Sequence, residues 1–437
     1  MNNFYWGMAS CAWLCAAGSV EAAGFVEDSH ASVSSRSYYI NHDNRLDTGL
    51  PGSTHNLSQA FTLNFNSGFT QGWVGFGLDV QAMSAFKLDE DVGYGGAPSR
   101  YNTGPSSVFP TGKDGNSADQ FGDLGVTAKA RISKTELRVG ELMPNLPVVV
   151  YNDGRLLPQT FQGTQITSKD LDRFTFTAGR LNSTRERNSS SHDPFAIAGA
   201  NSATGPRSNA FYYGGGEFQA TKALKLSYYY GQLDDFYKQH FLGLSQGWLM
   251  GPGRMVLDLG YYRSTSDGKN DNESAYYSTG WYGDRVTRGE VDNSLYSAMA
   301  TYHVKGLSVG VGRQISRGDS DFPFLNEGNG SSTALNSNTA VLKFTRAQEQ
   351  SWILRSRYDF AGLGVPGLTL AGAYVHGDNA QSVNGEIREW ERDIQLAYTV
   401  QGGPLKDVAF IYRNNMIRGP SQLDINIVSV NYTLALF

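Results

Sequence analysis

From Phe25 onward, apolar and polar residues exchange places at every second position, over segments of roughly ten residues. In the stretch 73–82, Val74, Phe76, Leu78, Val80 and Ala82 share one face, with Gly75, Gly77, Asp79 and Gln81 on the other. In 223–231, Leu224, Leu226, Tyr228 and Tyr230 stand opposite Lys225, Ser227 and Tyr229. In 351–360, Trp352, Leu354, Tyr358 and Phe360 stand opposite Arg355, Arg357 and Asp359. The period is that of a strand with two different faces. Applied along the chain it predicts eighteen strands, at 30–40, 57–67, 72–86, 119–131, 134–142, 161–168, 173–185, 209–219, 223–233, 238–249, 253–266, 293–304, 307–317, 350–360, 368–376, 388–400, 407–418 and 423–437.

The connections alternate in length. Short turns such as Ser133-Lys134, Thr221-Lys222 and Lys305-Gly306 separate long loops at 87–118, 143–160, 186–208, 267–292, 318–349 and 377–387. Short turns on one side and long loops on the other predict an all-β fold, an 18-stranded antiparallel transmembrane β-barrel of the bacterial outer membrane. A closed sheet pairs every backbone amide without water, as lipid requires, and this many strands enclose a wet lumen. A soluble propeller or double sandwich would not need the alternation of loop lengths. The final strand, with Val428, Val430, Tyr432, Leu434 and Leu436 on one face, ends in Phe437, one position off that register. It resembles the terminal signal by which outer-membrane proteins are inserted.

Composition supports this picture. The 24 Tyr and 23 Phe suit the aromatic girdles of such a barrel. No apolar run is long enough for a membrane helix. Net charge is −5 with bases scattered, so a nucleic-acid partner is not indicated. The segment 4–20 is rich in Ala, Trp, Leu and Met and is followed by small residues near Ala22-Ala23, so residues 1–23 read as a signal peptide and 24–437 as the barrel. Both cysteines, Cys11 and Cys15, fall in the segment to be removed, which excludes a disulfide framework and a cysteine metal site. No cofactor is expected.

One stretch breaks the rhythm. After the strand residues Leu137 and Val139, alternation stops at Met143-Pro144. A ValValVal run, the turn signal Asn152-Asp153-Gly154 and then Arg155 follow before a new strand begins at Phe161. A long loop with apolar content is usually functional. It is expected to fold back against the barrel and carry Asp153 and Arg155 to a place where charge matters.

Several motifs resemble the OprD family of substrate-specific outer-membrane channels of pseudomonads. They are the start Phe25-Val26-Glu27-Asp28-Ser29 with Arg36 beyond it, the run from Lys134-Thr135 through Leu142-Met143-Pro144, the segment 152–161 (AsnAspGlyArgLeuLeuProGlnThrPhe), and the turns Gly364–Leu368 and Gln401–Asp407. The similarity runs along nearly the whole mature chain. It implies an eighteen-stranded barrel, often a homotrimer, whose third loop folds inward to constrict the pore. It further implies a ladder of bases facing acidic residues, and uptake of small carboxylate-bearing solutes.

The strand registers independently nominate inward-facing bases: Arg36, Lys129, Arg131, Arg138, Lys225, Arg355, Arg357 and Arg413. Guanidinium groups along a wet wall attract anions and can pass a carboxylate between weak sites. Asp153 and Arg155, with Asp319 and Asp321 of the loop 318–349, are the expected opposed charges. Each also has a plain alternative: a lumen is basic because it is wet, Asp153 suits the turn, and Asp319 and Asp321 suit a solvated loop. By the same resemblance, Ala397 and Ile411 stand where many relatives carry a ladder base, and Arg357 where an acid is common, so the ladder is rebuilt or thinned. The expected function is selective passive uptake of aromatic acids or amino acids as small anionic or zwitterionic solutes, with outer-membrane lipid and lipopolysaccharide around the barrel. A general diffusion pore is the alternative. A barrel hydrolase finds little support, since the seven His are scattered and no GxSxG is present.

Overall fold

The computed structural model describes residues 24–46, 52–91, 108–112, 116–197, 205–277, 289–325, 333–382 and 384–437. The expected signal peptide, with Cys11 and Cys15, lies outside them. Eighteen long strands form one antiparallel sheet, to which the two-residue segment His192–Asp193 adds a short pairing. They are β1 (His30–Asn44), β2 (Ser53–Asn66), β3 (Gly75–Asp91), β4 (Gln120–Ile132), β5 (Thr135–Leu142), β6 (Thr160–Ser168), β7 (Phe174–Arg185), β8 (Phe211–Gln219) and β9 (Leu224–Leu233). The second half comprises β10 (Tyr237–Met250), β11 (Gly253–Ser266), β12 (Asp292–Val304), β13 (Leu307–Arg317), β14 (Gln350–Asp359), β15 (Leu368–Ser382), β16 (Gly385–Thr399), β17 (Ala409–Arg418) and β18 (Leu423–Ala435). Each strand pairs with its sequence neighbour, and β18 returns to β1, from Ser32 opposite Ala435 to Asn44 opposite Leu423. Ala31 N–H donates to Phe437 O at 3.1 Å and Leu436 N–H to Ala31 O at 2.8 Å, which extends the seam to the last residue.

The two faces separate as the alternation demands. Phe76, Leu78, Leu124, Val126, Leu137, Val139, Val311 and Leu354 are exposed on the outer wall. So many exposed large apolar residues would make a soluble protein aggregate; here they face lipid. Aromatic rings collect near the strand ends. Phe174 stacks on Phe218 at 4.4 Å beside the short turns, and Tyr261 meets Tyr296 at 4.9 Å toward the long loops.

Strand boundaries depart from expectation in one systematic way. The anticipated long loop 377–387 is the tip of a hairpin, because β15 and β16 go on pairing up to Ser382 opposite Gly385. The polar residues His376, Asp378 and Gln381 hid this, since strands that rise above the lipid need no apolar face. At Gly140 the backbone takes φ +135°, and a Cβ there would lie 2.0 Å from Val126 O. This glycine lets β5 bend where it enters the long loop.

Loop 143–160 and the described parts of loop 318–349 enter the barrel. Leu156 and Leu157 pack with Tyr38, Ile40, Ile353, Val375 and Ile427 of the walls, and Leu342 and Phe344 of the second loop join the same cluster. Val148 and Val149 pack on the opposite wall, against Phe161, Phe211, Tyr229 and Tyr237. The apolar run in the first loop thus rests on one side of the lumen and its LeuLeu pair on the other. Residues Phe195 and Ile197, from the segment after β7, are buried in the second of these clusters, and Ile197 bridges to Leu325.

Gly140→Ala should lower stability by at least about 1 kcal/mol, because a Cβ at positive φ is strained and meets backbone oxygen. A reduced urea midpoint for the variant refolded into vesicles is the expected result; an unchanged midpoint would show that β5 can straighten without cost.

Candidate functional site in the barrel lumen

The loop 143–160 is pinned at its charged tip. The expected AsnAspGly turn is made by Asn152, whose Oδ1 accepts from Gly154 N–H at 2.8 Å. That leaves Asp153 available to face the wall. Arg36, inward on β1, donates Nη1 to Asp153 Oδ1 at 2.9 Å and Nη2 to Oδ2 at 3.3 Å. Its Nη1 also reaches Arg155 O at 2.5 Å. A two-pronged, half-buried pair of this kind fixes a loop far better than a single exposed contact. Tyr262 OH adds a bond to Pro147 O at 3.2 Å from the far wall.

The second loop is held by carboxylates. Glu391 accepts from Val341 N–H at 3.0 Å, Leu342 N–H at 2.7 Å and Thr339 Oγ1 at 2.6 Å. Asp393 accepts from Ala340 N–H at 3.0 Å and Asn415 Nδ2 at 2.6 Å. Glu349 accepts from Arg346 N–H at 3.0 Å, and Glu389 lies 3.4 Å from Arg346 Nε. Arg355 donates to the carbonyls of Asn336 and Asn338 at 2.7 and 2.8 Å. Backbone amides buried away from water must find partners, and here lumen-facing side chains provide them.

The nominated residues fall into three groups. Toward the short turns, Lys129 pairs with Asp79 at 2.6 Å, Arg138 contacts Glu136 and lies 3.9 Å from Asp79, and Lys225 pairs with Glu217 at 2.9 Å. Arg131, exposed at that mouth, stacks 4.0 Å over Phe69. On the wall of β14 to β17, Arg357, Ala371, Gln395 and Arg413 are successive cross-strand neighbours, and Arg413 Nε donates to Gln395 Oε1 at 2.8 Å. The third group is the pinned tip, Arg36 with Asp153 and Arg155. Asp319 and Asp321 are not set against the ladder. Asp319 is exposed on the loop. Asp321 accepts from Ala347 N–H at 2.7 Å inside the loop's own bonding, and burial pushes its carboxyl up to about 7.

Two important bases were not nominated by the alternation, because they lie in loops. Arg187 is buried and donates Nη1 to Asn152 Oδ1 at 3.3 Å. Lys343 is half-buried and donates to Asn338 Oδ1 at 2.7 Å. Burial lowers Arg155 to about 10 and, with the charge of Arg155 beside it, Arg187 to about 9. Burial lowers Lys343 to about 8, and Arg187 pushes in the same direction while Glu391 and Asp393 oppose. Three bases from three loops therefore share one field.

Among the described residues, Asp123, Glu141 and His192 come close enough together to suggest a cation site. Arg185 lies among them, with Nε 3.1 Å from Asp123 Oδ2, and supplies the positive charge there.

Comparison with known proteins agrees with this architecture. The family described as outer membrane porin, OprD family, matches residues 23–436. The chain is 32% identical over 420 residues to the porin-like protein GalP of Pseudomonas putida, covering 95% of this chain and 94% of the relative. It is similar to the crystal structure of Pseudomonas aeruginosa OccK8 (OprE), with TM-score 0.87 and 47% identity over 95% of this chain and 100% of that one. It is also similar to Pseudomonas aeruginosa OpdK crystallised with vanillate, with TM-score 0.81 and 32% identity over 94% of this chain and 100% of that one. A match along almost the whole length, joined to a closed barrel with a constricted lumen, shows that the chain belongs to the OprD family of Gram-negative outer-membrane porins, which are channels and not enzymes.

Proposed function

We propose that this porin passes small solutes bearing a carboxylate, as anions or zwitterions, in preference to neutral or cationic ones. The observation that carries the reading is the convergence of Arg155, Arg187 and Lys343 from three loops, with Arg36 beside them. Like charges held together in a partly desolvated place lower one another's affinity for protons, and an anion that enters relieves the strain. Glu391 and Asp393 on the wall offset part of this field, yet burial and Arg187 still hold Lys343 at about 8, below its ordinary value. Below the throat, Arg357 and Arg413 lie on one inward row and offer the next foothold. Sites of this kind must bind weakly so that the solute leaves as readily as it enters. Asp153 next to Arg36 gives a zwitterion's ammonium a partner. Similarity to OpdK, crystallised with vanillate, an aromatic carboxylate, favours the same class. A general diffusion pore fits less well, because two packed loops cross the lumen.

The test is single-channel current in planar bilayers, titrated with benzoate-like acids, basic amino acids and neutral sugars. Small steps carried or blocked by one carboxylate class support the proposal; large ohmic steps indifferent to solute reject it. Deleting Val148–Leu157 should raise conductance and blunt selectivity, and an unchanged current would remove that loop from the constriction. Arg357→Ala with Arg413→Ala should reduce carboxylate flux several-fold without loss of the folded barrel, whereas wild-type flux for every acid tested would make these residues ordinary wet wall.

Lys343 adds a pH signature. Its charge disappears as pH rises through about 8, so the permeability ratio of anion to cation should fall between about pH 7 and about pH 9. In Lys343→Gln the ratio should start lower and fall by less across that window, the remaining decline coming from Asp321 at about 7 and Arg187 at about 9. A flat wild-type profile would place Lys343 away from the solute path.

A further inference from the structure

The outer wall carries a charged feature that solute transport does not use. On the lipid-facing register of β13 to β17, Arg313 lies opposite Trp352, Trp352 opposite His376, His376 opposite Trp390, and Trp390 opposite Arg418. The outward direction is set by neighbours on the same parity, Val311, Leu354 and Ile394, all exposed. The row alternates base and aromatic across five adjacent strands, a width of about 19 Å at the usual strand spacing. It lies in the halves of the strands nearer the long loops. The Arg313 guanidinium sits 4.4 Å over the Trp352 ring and donates to Gln350 Oε1 at 2.6 Å, so its head points toward the extracellular end. Arg418 lies 5.9 Å from the Trp390 ring. Arg392, opposite Tyr374, and Arg317 and Arg388 nearer the strand tops, follow the same parity.

Among the described residues, carboxylates are few on this face. Asp378 lies 3.2 Å from both His376 and Arg388, and Asp424 of β18 is held by Arg418 and Arg45. Glu386 is exposed at the hairpin tip. Among the described residues, Arg313, Arg317 and Arg392 have no carboxylate at ion-pair distance. Elsewhere on the same rim Lys238 is matched by Asp267 at 2.8 Å and Arg263 by Asp292. Arginine on a lipid-facing position is costly unless its head reaches the interface and meets an anion there. Several such residues on one face, two of them, Arg313 and Arg418, set over tryptophan, form a surface that fits phosphate, which guanidinium grips with two parallel bonds.

We propose that the outer face of β13 to β17 binds the phosphate groups of the phosphorylated glycolipid of the outer leaflet. The bases then do work that divalent cations otherwise do between neighbouring glycolipids, and they fix the orientation of the barrel at that leaflet.

The experiment uses full-length protein inserted in vesicles containing lipopolysaccharide with phosphorylated lipid A, or the same glycolipid after dephosphorylation. Retained glycolipid is counted by native mass spectrometry after detergent extraction. Wild type should retain the phosphorylated form about tenfold better than the dephosphorylated one, as expected for charge-assisted contacts. The combined R313Q, R317Q and R392Q variant should lose that preference while its single-channel conductance stays at the wild-type level. Equal retention of the two glycolipids by wild type, or an undiminished preference in the variant, would overturn the site. So would displacement of the glycolipid by inorganic phosphate alone, since a lipid site is anchored by its acyl chains as well. If the variant does not insert, the two-glycolipid comparison on wild type decides the matter unaided.

Discussion

A backbone amide in hydrocarbon has no water to turn to, and the seam between β1 and β18 is where this chain meets that constraint. Pairing from Asn44 to Ser32, continued by Ala31 with Leu436 and Phe437, leaves the sheet without a free edge. Everything else rests on this closure. It makes alternate residues face lipid, it allows polar residues on the remaining positions, and it creates a wet interior into which loops can fold.

Inside, the same requirement for satisfied backbone works at closer quarters. Two loops carry their amides into the lumen, and the wall answers with carboxylates and arginines. Glu391 and Asp393 bind the amides of residues 340–342, Arg355 binds two carbonyls, and Arg36 binds the tip of the loop 143–160. Charged residues of the wall therefore serve two ends. Some hold the constriction in place, and others, such as Arg357 and Arg413, stand on one inward cross-strand row, past which the proposed solute path runs. A ladder residue such as Arg355 belongs to the first set even though its register places it in the second. The proposed lipid contact of the outer wall repeats the theme, since Arg313 and Arg392 have aromatic neighbours and, among the described residues, no carboxylate at ion-pair distance.

Much of the fold was legible in the chain because lipid and water impose a strict two-residue period. Phe76, Leu78 and Val80 against Gly77, Asp79 and Gln81 already tell the outer face from the inner one. The strand count, the inward parity of Arg36, Lys129, Arg355 and Arg413, and the interruption at Met143-Pro144 follow from that period and from the length of the connections. The parity of a residue says which side it faces; it says nothing of what waits there. That Lys129 meets Asp79, that Arg355 is taken by a loop, and that Asn152 makes the turn and leaves Asp153 for Arg36 depend on strands and loops distant in sequence.

Loops have no period, so their contributions were the least legible. Nothing in the local sequence marks Arg187 or Lys343 as partners of Arg155, yet the three lie in one electrostatic field because three loops fold to the same place. The hairpin above Gly377 was hidden for the opposite reason: outside lipid a strand can be polar on both faces. By itself, then, the sequence determined a closed antiparallel barrel with a basic lumen and an inward loop, since alternation and loop length are local signals. Only the tertiary structure decided which bases hold the throat and which line it, because that choice is made by loop packing across the width of the barrel.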